Sequence, residues 1–324
     1  MLTSPKNILT IATGKELYIN LALNLARSFV WWHPKTDILF YLVTDRADII
    51  PSELRGVIKL IEVKPGELPE GFSSKLFLDK LAPEGQTIFI DSDCLIFGPL
   101  DKLFDRFKGH SVSVIGSYIR DGEWFGDIST ICNRYSIDKM PKFNGGMYYI
   151  EKSPIATEVY DLARTLEQKY DEIGFKRLRN RPNDEVIMSL AMALTRQQPV
   201  IDDGTIMSDP LACPGGYYLD VIKGRRWLIN PPAPHPLHQN WYPFQTVEPV
   251  VVHFLGYYTN HYPYKREVLR LTKALSGELN SIEELAIRLK IEIPERIKNG
   301  VKDLFRPLFH KIFGPRKVKI SERL

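Results

Sequence analysis

Cysteine is scarce in this chain. Three residues in 324, Cys94, Cys132 and Cys213, lie far apart. That spacing excludes a CxxC metal motif and an even-numbered disulfide framework, and it suits a reducing compartment, so the cytoplasm is the expected location. No window approaches the ~18 consecutive apolar residues of a membrane span. Residues 1–12, MLTSPKNILTIA, lack the basic stretch and following apolar run of a signal peptide. A soluble or peripheral protein is expected. Charge of one sign is also lacking: 43 Lys and Arg against 39 Asp and Glu leave a formal +4, too little to imply nucleic acid. There is no internal repeat or low-complexity tract. What is present is apolar: 44% hydrophobic residues suffice for one large α/β domain or two smaller ones without covalent staples.

Short β-rich apolar runs alternate with helical patterns, as in an α/β fold with a largely parallel sheet. NILTIAT (7–13) reads as a first strand and ELYINLALNLARSFVWW (16–32) as the helix after it, with Gly14 and Lys15 as the turn. Further strands are predicted over 37–45 and 57–63, and SSKLFLDKLA (73–82) as a short Ser-capped helix. QTIFIDSDCLIFGPL (86–100) is another apolar run, and SVSVIGSYI, GGMYYI, PVIDD and PVVVHFL supply later strands, with helices over 153–171 and 183–195. The Pro- and aromatic-rich segment 217–244 is predicted to be an irregular surface.

The run from residue 86 carries two carboxylates, Asp91 and Asp93. In open α/β sheets ligands bind outside the carboxyl ends of the strands. Residues i and i+2 of an extended segment point the same way, so both acids can face one hard cation of the kind that neutralises a diphosphate. An Asx turn is the alternative. The apolar setting favours a cationic partner, because burying unpaired carboxylates is costly. His253, at the end of the strand in PVVVHFLGYY (249–258), is a third candidate ligand, with a purely structural histidine as the alternative. An imidazole beside two carboxylates suits Mn²⁺ better than Mg²⁺.

Four blocks occur in order between residue 8 and about 260: TIATGKELYINLALNLARSF, FIDSDCLIFGPLDKLF, KFNGGMYYI and VVHFLG. With them the chain resembles the GT-A glycosyltransferases, most closely family 8, which includes glycogenin and bacterial lipopolysaccharide galactosyltransferases. The resemblance implies a Rossmann-like α/β fold. It places the catalytic domain over 1–270, with a nucleotide half to about 135 and an acceptor half from about 136, and a basic helical extension over 271–324. It implies sugar transfer, with retention, from a UDP-sugar donor to a saccharide, lipid-linked or protein acceptor. Asp91, Asp93 and His253 would hold Mn²⁺ or Mg²⁺. Ala12, Thr13 and Tyr18 would hold the base and ribose, and Lys75 would lie beneath the donor phosphates and sugar. Ser92 would also face the donor, Asn144 and Gly145 would line its sugar, and Gly256 would admit the β-phosphate. Asp184 and Glu185 would be catalytic, steadying positive charge on the sugar ring or orienting the acceptor.

Plainer roles exist for several of these residues. Tyr18 can belong to the buried stripe of its helix, Lys75 can be a solvated helix residue, and Asn144 before two glycines can be a turn. Asp184 and Glu185 can supply negative charge to a helix start after Pro182 and Asn183. The chain also departs from the family pattern. Thr259 stands where the resembled family has a lysine, and Pro141 and Lys142 stand where it often has an acid. A sugar-1-phosphate nucleotidylyltransferase is a second functional class, disfavoured by the single glycine of IATGKEL. A sugar-nucleotide-binding protein without turnover is a third, which Thr259 leaves open.

Segment 203–245 is rich in aromatics suited to stacking on sugar rings or packing over the site. At the C-terminus, Val301, Leu304, Phe305, Leu308, Phe309, Ile312 and Phe313 recur at helical spacing among Lys302, Arg306, Lys311, Arg316, Lys317 and Lys319. Two short pieces divided at Pro307 are predicted. They either pack back on the catalytic domain or contact an anionic membrane surface, and the second is the expectation.

Overall fold

Unbroken apolar runs mark strands covered on both faces, and the computed structural model, which describes residues 4–314, sets them at its centre. β1 (Lys6–Ile11), β2 (Leu39–Thr44), β3 (Ile58–Glu62) and β4 (Gln86–Ile90) form a parallel array in the order β3-β2-β1-β4. After β5 (Cys94–Ile96) come β6 (Val112–Ser113), β7 (Ile115–Ile119), β8 (Met140–Phe143) and β9 (Met147–Glu151). β9 runs antiparallel between β4 and β6 and completes a six-stranded sheet. The period of two sends Ile8 into the core on one face and Leu9 into the core on the other. The helix Glu16–Trp32 covers the first face with Ile19, Ala22, Ala26 and Phe29. The helices Pro154–Gln168 and Asp184–Leu194 cover the second with Val159, Ala163, Val186 and Leu190.

Smaller sheets surround this one. β10 (Val200–Ile201) pairs with β7, which pairs with β8. β11 (Met207–Ser208) precedes β12 (Gly216–Asp220), β13 (Arg225–Ile229), β14 (Thr246–Val247) and β15 (Val251–His253). β15 lies between β11 and β5.

Four expectations change. The segment that carries Asp91 and Asp93 is not extended: residues 91–93 turn the corner between β4 and β5, which belong to different sheets. The segment predicted to be irregular holds the β12–β13 hairpin, whose buried Leu219 and Leu228 were hidden among aromatics and arginines. Ser73 caps no helix; its hydroxyl donates to Glu167, and residues Gly71–Phe77 form a 3₁₀ segment before the short helix Leu78–Leu81. The C-terminal helix Ile293–Phe313 runs through Pro307 without dividing. Leu304 and Leu308 beside the proline are 74% and 55% exposed, so water can reach a carbonyl that the proline leaves without a donor. Arg316, Lys317 and Lys319 lie outside the described residues.

The extension is tied to the body by charge. Arg270, in the helix Tyr262–Leu275, lies 3.0 Å from both Asp220 and Glu267 and 2.8 Å from Glu284, and Arg266 lies 2.8 Å from Glu292. Among the described residues no helix is long and apolar enough to cross a membrane.

Candidate active site

Asp91 and Asp93 flank a tight turn, in which the Cys94 amide donates to the Asp91 carbonyl at 3.1 Å. The backbone therefore turns instead of running extended, through a main-chain bond and not a side-chain one. Both carboxylates nevertheless meet cations from distant parts of the chain. Lys75 Nζ lies 2.8 Å from Asp91 Oδ2 and 3.6 Å from Asp184 Oδ2, and it donates to the Gly145 carbonyl at 2.7 Å. This lysine is buried, not solvated. Burial works against its charge, but Asp184 and Asp91 outweigh burial and hold its pKa above the ordinary lysine value.

His253 Nε2 stands 3.0 Å from Asp93 Oδ1 and 3.9 Å from Asp91 Oδ2. β15 delivers it: its register partner on β5 is Cys94, directly after the turn. The other ring nitrogen, Nδ1, lies 3.0 Å from Asn144 Oδ1, an acceptor that also receives the Gly146 amide at 2.9 Å. An amide oxygen only accepts, so Nδ1 carries the proton and Nε2 faces the acids. Asn144 is fixed in turn by its amide nitrogen, 3.3 Å from Asp209 Oδ2. Asp209 Oδ1 accepts the amides of Leu211 and Ala212, both at 2.8 Å. Asn144 thus steadies His253, and its polar atoms point at protein groups. Burial disfavours an imidazolium, yet Asp93 and Asp91 raise the His253 pKa to about 9. Asp209 escaped the sequence reading; its only signal was an acid followed by proline after a short apolar run.

These groups fit a divalent cation. A ring nitrogen aimed at two carboxylates is satisfied either by a proton or by a metal that displaces it. Among the described residues, the three metal-donor side chains that lie within 4.8 Å of one another are Asp93, Cys94 and His253, while Asp91 is drawn towards Lys75. Cys94 is fully buried, and burial with Asp93 and Asp91 nearby pushes its thiol well above the ordinary range, which makes it a poor thiolate ligand.

Asp184 and Glu185 part company. Asp184 is buried and takes the Tyr148 hydroxyl at 2.6 Å. Glu185 Oε1 accepts the Gly145 amide at 2.7 Å, and burial, then Asp184, raises its pKa to about 7. Both also start a helix, where Asn183 Oδ1 accepts the Glu185 amide at 2.7 Å. The glycines are explained by crowding. A Cβ on Gly145 would stand 3.0 Å from Glu185 Cγ, and one on Gly146 would stand 2.6 Å from His253 Nδ1.

Every site residue named from the sequence borders one cleft of about 480 Å³ beyond the carboxyl ends of β1, β2 and β4. At its far end Ala12 is buried, Thr13 follows it, and Tyr18 packs on the core with Lys15 Nζ 6.0 Å over its ring. Gly14, at φ +77°, gives its amide to both oxygens of Asp45, at 3.0 and 3.1 Å. Asp45, just past β2, was not picked from the sequence, although an acid at a strand end was the signal used for Asp91. Gly256 has φ +60°, and its carbonyl accepts the Thr259 hydroxyl at 3.1 Å. Among the described residues, none of 203–245 borders the cleft.

No protein-family model matches the chain, and no curated protein matches it in sequence. Solved structures match in fold. The galactosyltransferase LgtC, in complex with donor and acceptor sugar analogues, superposes over 85% of this chain and 96% of that chain with a TM-score of 0.53 and 16% identity. The bifunctional glycosyltransferase WbbM matches over 89% and 52% with a TM-score of 0.51 and 10% identity. The glycosyltransferase GlyE of Streptococcus pneumoniae TIGR4 matches over 62% and 46% with a TM-score of 0.41 and 17% identity. The chain spans about half the length of the WbbM and GlyE chains. The fold expected from the four blocks, that of the GT-A glycosyltransferases, is the fold found.

Proposed function

We propose that this chain is a metal-dependent glycosyltransferase that moves a sugar from a UDP-sugar to an acceptor with retention of configuration. The observation that carries the reading is the convergence of Asp91 and Asp93, on the turn after β4, with His253, on a strand far along the chain, in the cleft that the turn after β1 also borders. Asp91, Asp93 and His253 would hold Mn²⁺ or Mg²⁺, which when bound supplies Lewis-acid stabilisation of the departing diphosphate.

The remaining roles belong to side chains. Asn144 and Asp209 fix the His253 tautomer, and Lys75 fastens Asp91 to the loop at Gly145. Ala12, Thr13 and Tyr18 would receive the nucleoside, and Ser92 and Gly256 the donor's phosphates. Glu185, beside Gly145, would face the donor sugar and steady positive charge on its ring. Asp184 supports this through the buried ion pair with Lys75.

A saccharide acceptor is favoured, because LgtC was solved with an acceptor sugar analogue. A lipid-linked saccharide is the form that suits the C-terminal helix, where Val301, Leu304, Phe305, Leu308 and Ile312 are all at least half exposed. With Lys302, Arg306 and Lys311 on the same helix, that surface suits peripheral contact with an anionic membrane from the cytoplasmic side.

The test is incubation with UDP-sugars and Mn²⁺ and an assay for free UDP. Transfer or slow hydrolysis supports the transferase. Pyrophosphate exchange would indicate a nucleotidylyltransferase, and binding without turnover a sugar-nucleotide-binding protein.

A further inference from the structure

Several of the cleft's cations are already engaged by protein groups. Lys75 is engaged by Asp91, Asp184 and a carbonyl, His253 by Asp93, and Arg181 by Glu70 at 3.0 Å. Arg179 differs. It borders the same cleft, is exposed, and has no hydrogen bond or ion pair among the described residues.

Its backbone is costly to hold. Leu178 and Arg181 exchange both amide bonds, at 2.9 and 3.0 Å, across a two-residue turn in which Arg179 has φ +51° and Asn180 φ +64°. Such a turn favours Asn and Gly at its centre, and an arginine in the left-handed region is a strained choice. Strain of this kind collects where a side chain must be presented to a ligand. The turn brings the guanidinium to the cleft wall that follows β15: one of its nitrogens, Nη2, lies 3.9 Å from where a Cβ on Gly256 would stand. Gly256 follows His253 by three residues, and Thr259, whose hydroxyl bonds the Gly256 carbonyl, brings no charge to that wall.

The geometry points to Arg179 as a diphosphate-binding residue, which meets the donor's phosphates at the cleft wall beside Gly256. A planar guanidinium with several N–H donors suits two phosphate oxygens at once. This rests on the donor reading above and adds to it the residue that receives the diphosphate.

The test is calorimetric titration of the full chain, with Mn²⁺ present, by UDP, UMP, uridine and inorganic diphosphate, for the wild type, Arg179→Asn and Arg179→Lys. Asparagine tolerates the left-handed turn, so Arg179→Asn keeps the fold, with an unchanged or raised melting temperature. The expected result is a loss of roughly ten- to hundredfold in UDP and diphosphate affinity, much less for UMP, none for uridine, and partial recovery in Arg179→Lys. Unchanged UDP affinity in Arg179→Asn overturns the proposal, as does an equal loss for uridine, which would mark Arg179 as a shape element. A wild type that binds diphosphate but not UDP keeps the Arg179 assignment and overturns the nucleotide donor. A wild type that binds neither overturns both.

Discussion

Lys75 and Asp91, 2.8 Å apart, join the 3₁₀ segment Gly71–Phe77 to the turn after β4. The lysine is 10% exposed at its side chain and also faces Asp184, so its removal strands two carboxylates in a place water barely reaches. Lys75→Met is therefore expected to cost about 3–5 kcal/mol of folding stability. Urea denaturation of the two proteins checks this; a loss under 1 kcal/mol on the same ~1 kcal/mol scale as surface pairs would show that the network is dispensable.

The two carboxylates of the turn should separate in stability but not in activity. Asp91→Asn and Asp93→Asn each remove one charge from the proposed metal site and are expected to abolish Mn²⁺-dependent release of UDP. Asp91→Asn leaves a lysine buried with less compensation, whereas Asp93→Asn faces a histidine that can give up its proton. The first variant should have the lower denaturation midpoint. Activity retained by either one contradicts the metal assignment.

Glu185 sets a pH dependence whose sign is fixed by its raised pKa. Its ordinary value is 4.5 and its folded value about 7, so the folded state holds the extra proton between them. Stability from this group is full below pH 4.5 and is lost as pH rises through 7, by at most about 3 kcal/mol. Glu185→Gln removes the titration and keeps an acceptor for the Gly145 amide. The variant should gain in melting temperature over the wild type at pH 8 and lose that advantage at pH 4.5. A difference independent of pH would place the effect elsewhere.

Gly146 offers a steric test of the histidine. The methyl of Gly146→Ala would stand 2.6 Å from His253 Nδ1 and 3.1 Å from Asn144 Oδ1. The ring must shift, and its link to Asn144 with it. Mn²⁺ affinity is expected to fall roughly 10- to 100-fold, the usual cost of disturbing a ligand's supporting partner. Calorimetry with Mn²⁺ alone reads it, and unchanged affinity would show that His253 is not a ligand.

The C-terminal helix bears on membrane contact. Deleting residues 301–324 is expected to abolish co-sedimentation with anionic liposomes at low salt and to leave UDP binding intact. Equal co-sedimentation of the full and shortened chains would assign the exposed apolar stripe to another use.

The sequence by itself determined the parallel array and the helix Glu16–Trp32, because apolar periodicity is local and the core needs little more than that pattern. It also picked out Asp91, Asp93 and His253, since strand ends in α/β sheets are where polar residues have work to do. Only the tertiary structure decided what each of them touches. Lys75 was expected beneath the donor phosphates, with nothing to name its partners, and Asp209 carried almost no signal at all. The partners that bury the lysine lie 16, 70 and 109 residues away, and Asp209 lies 65 residues from the asparagine it holds. Pairings over such distances are set by how the sheets pack, and no local pattern encodes them. The turn at Asp91–Asp93 shows the same division. The residues announced a site, but the register of β5 with β15 brought the imidazole to it.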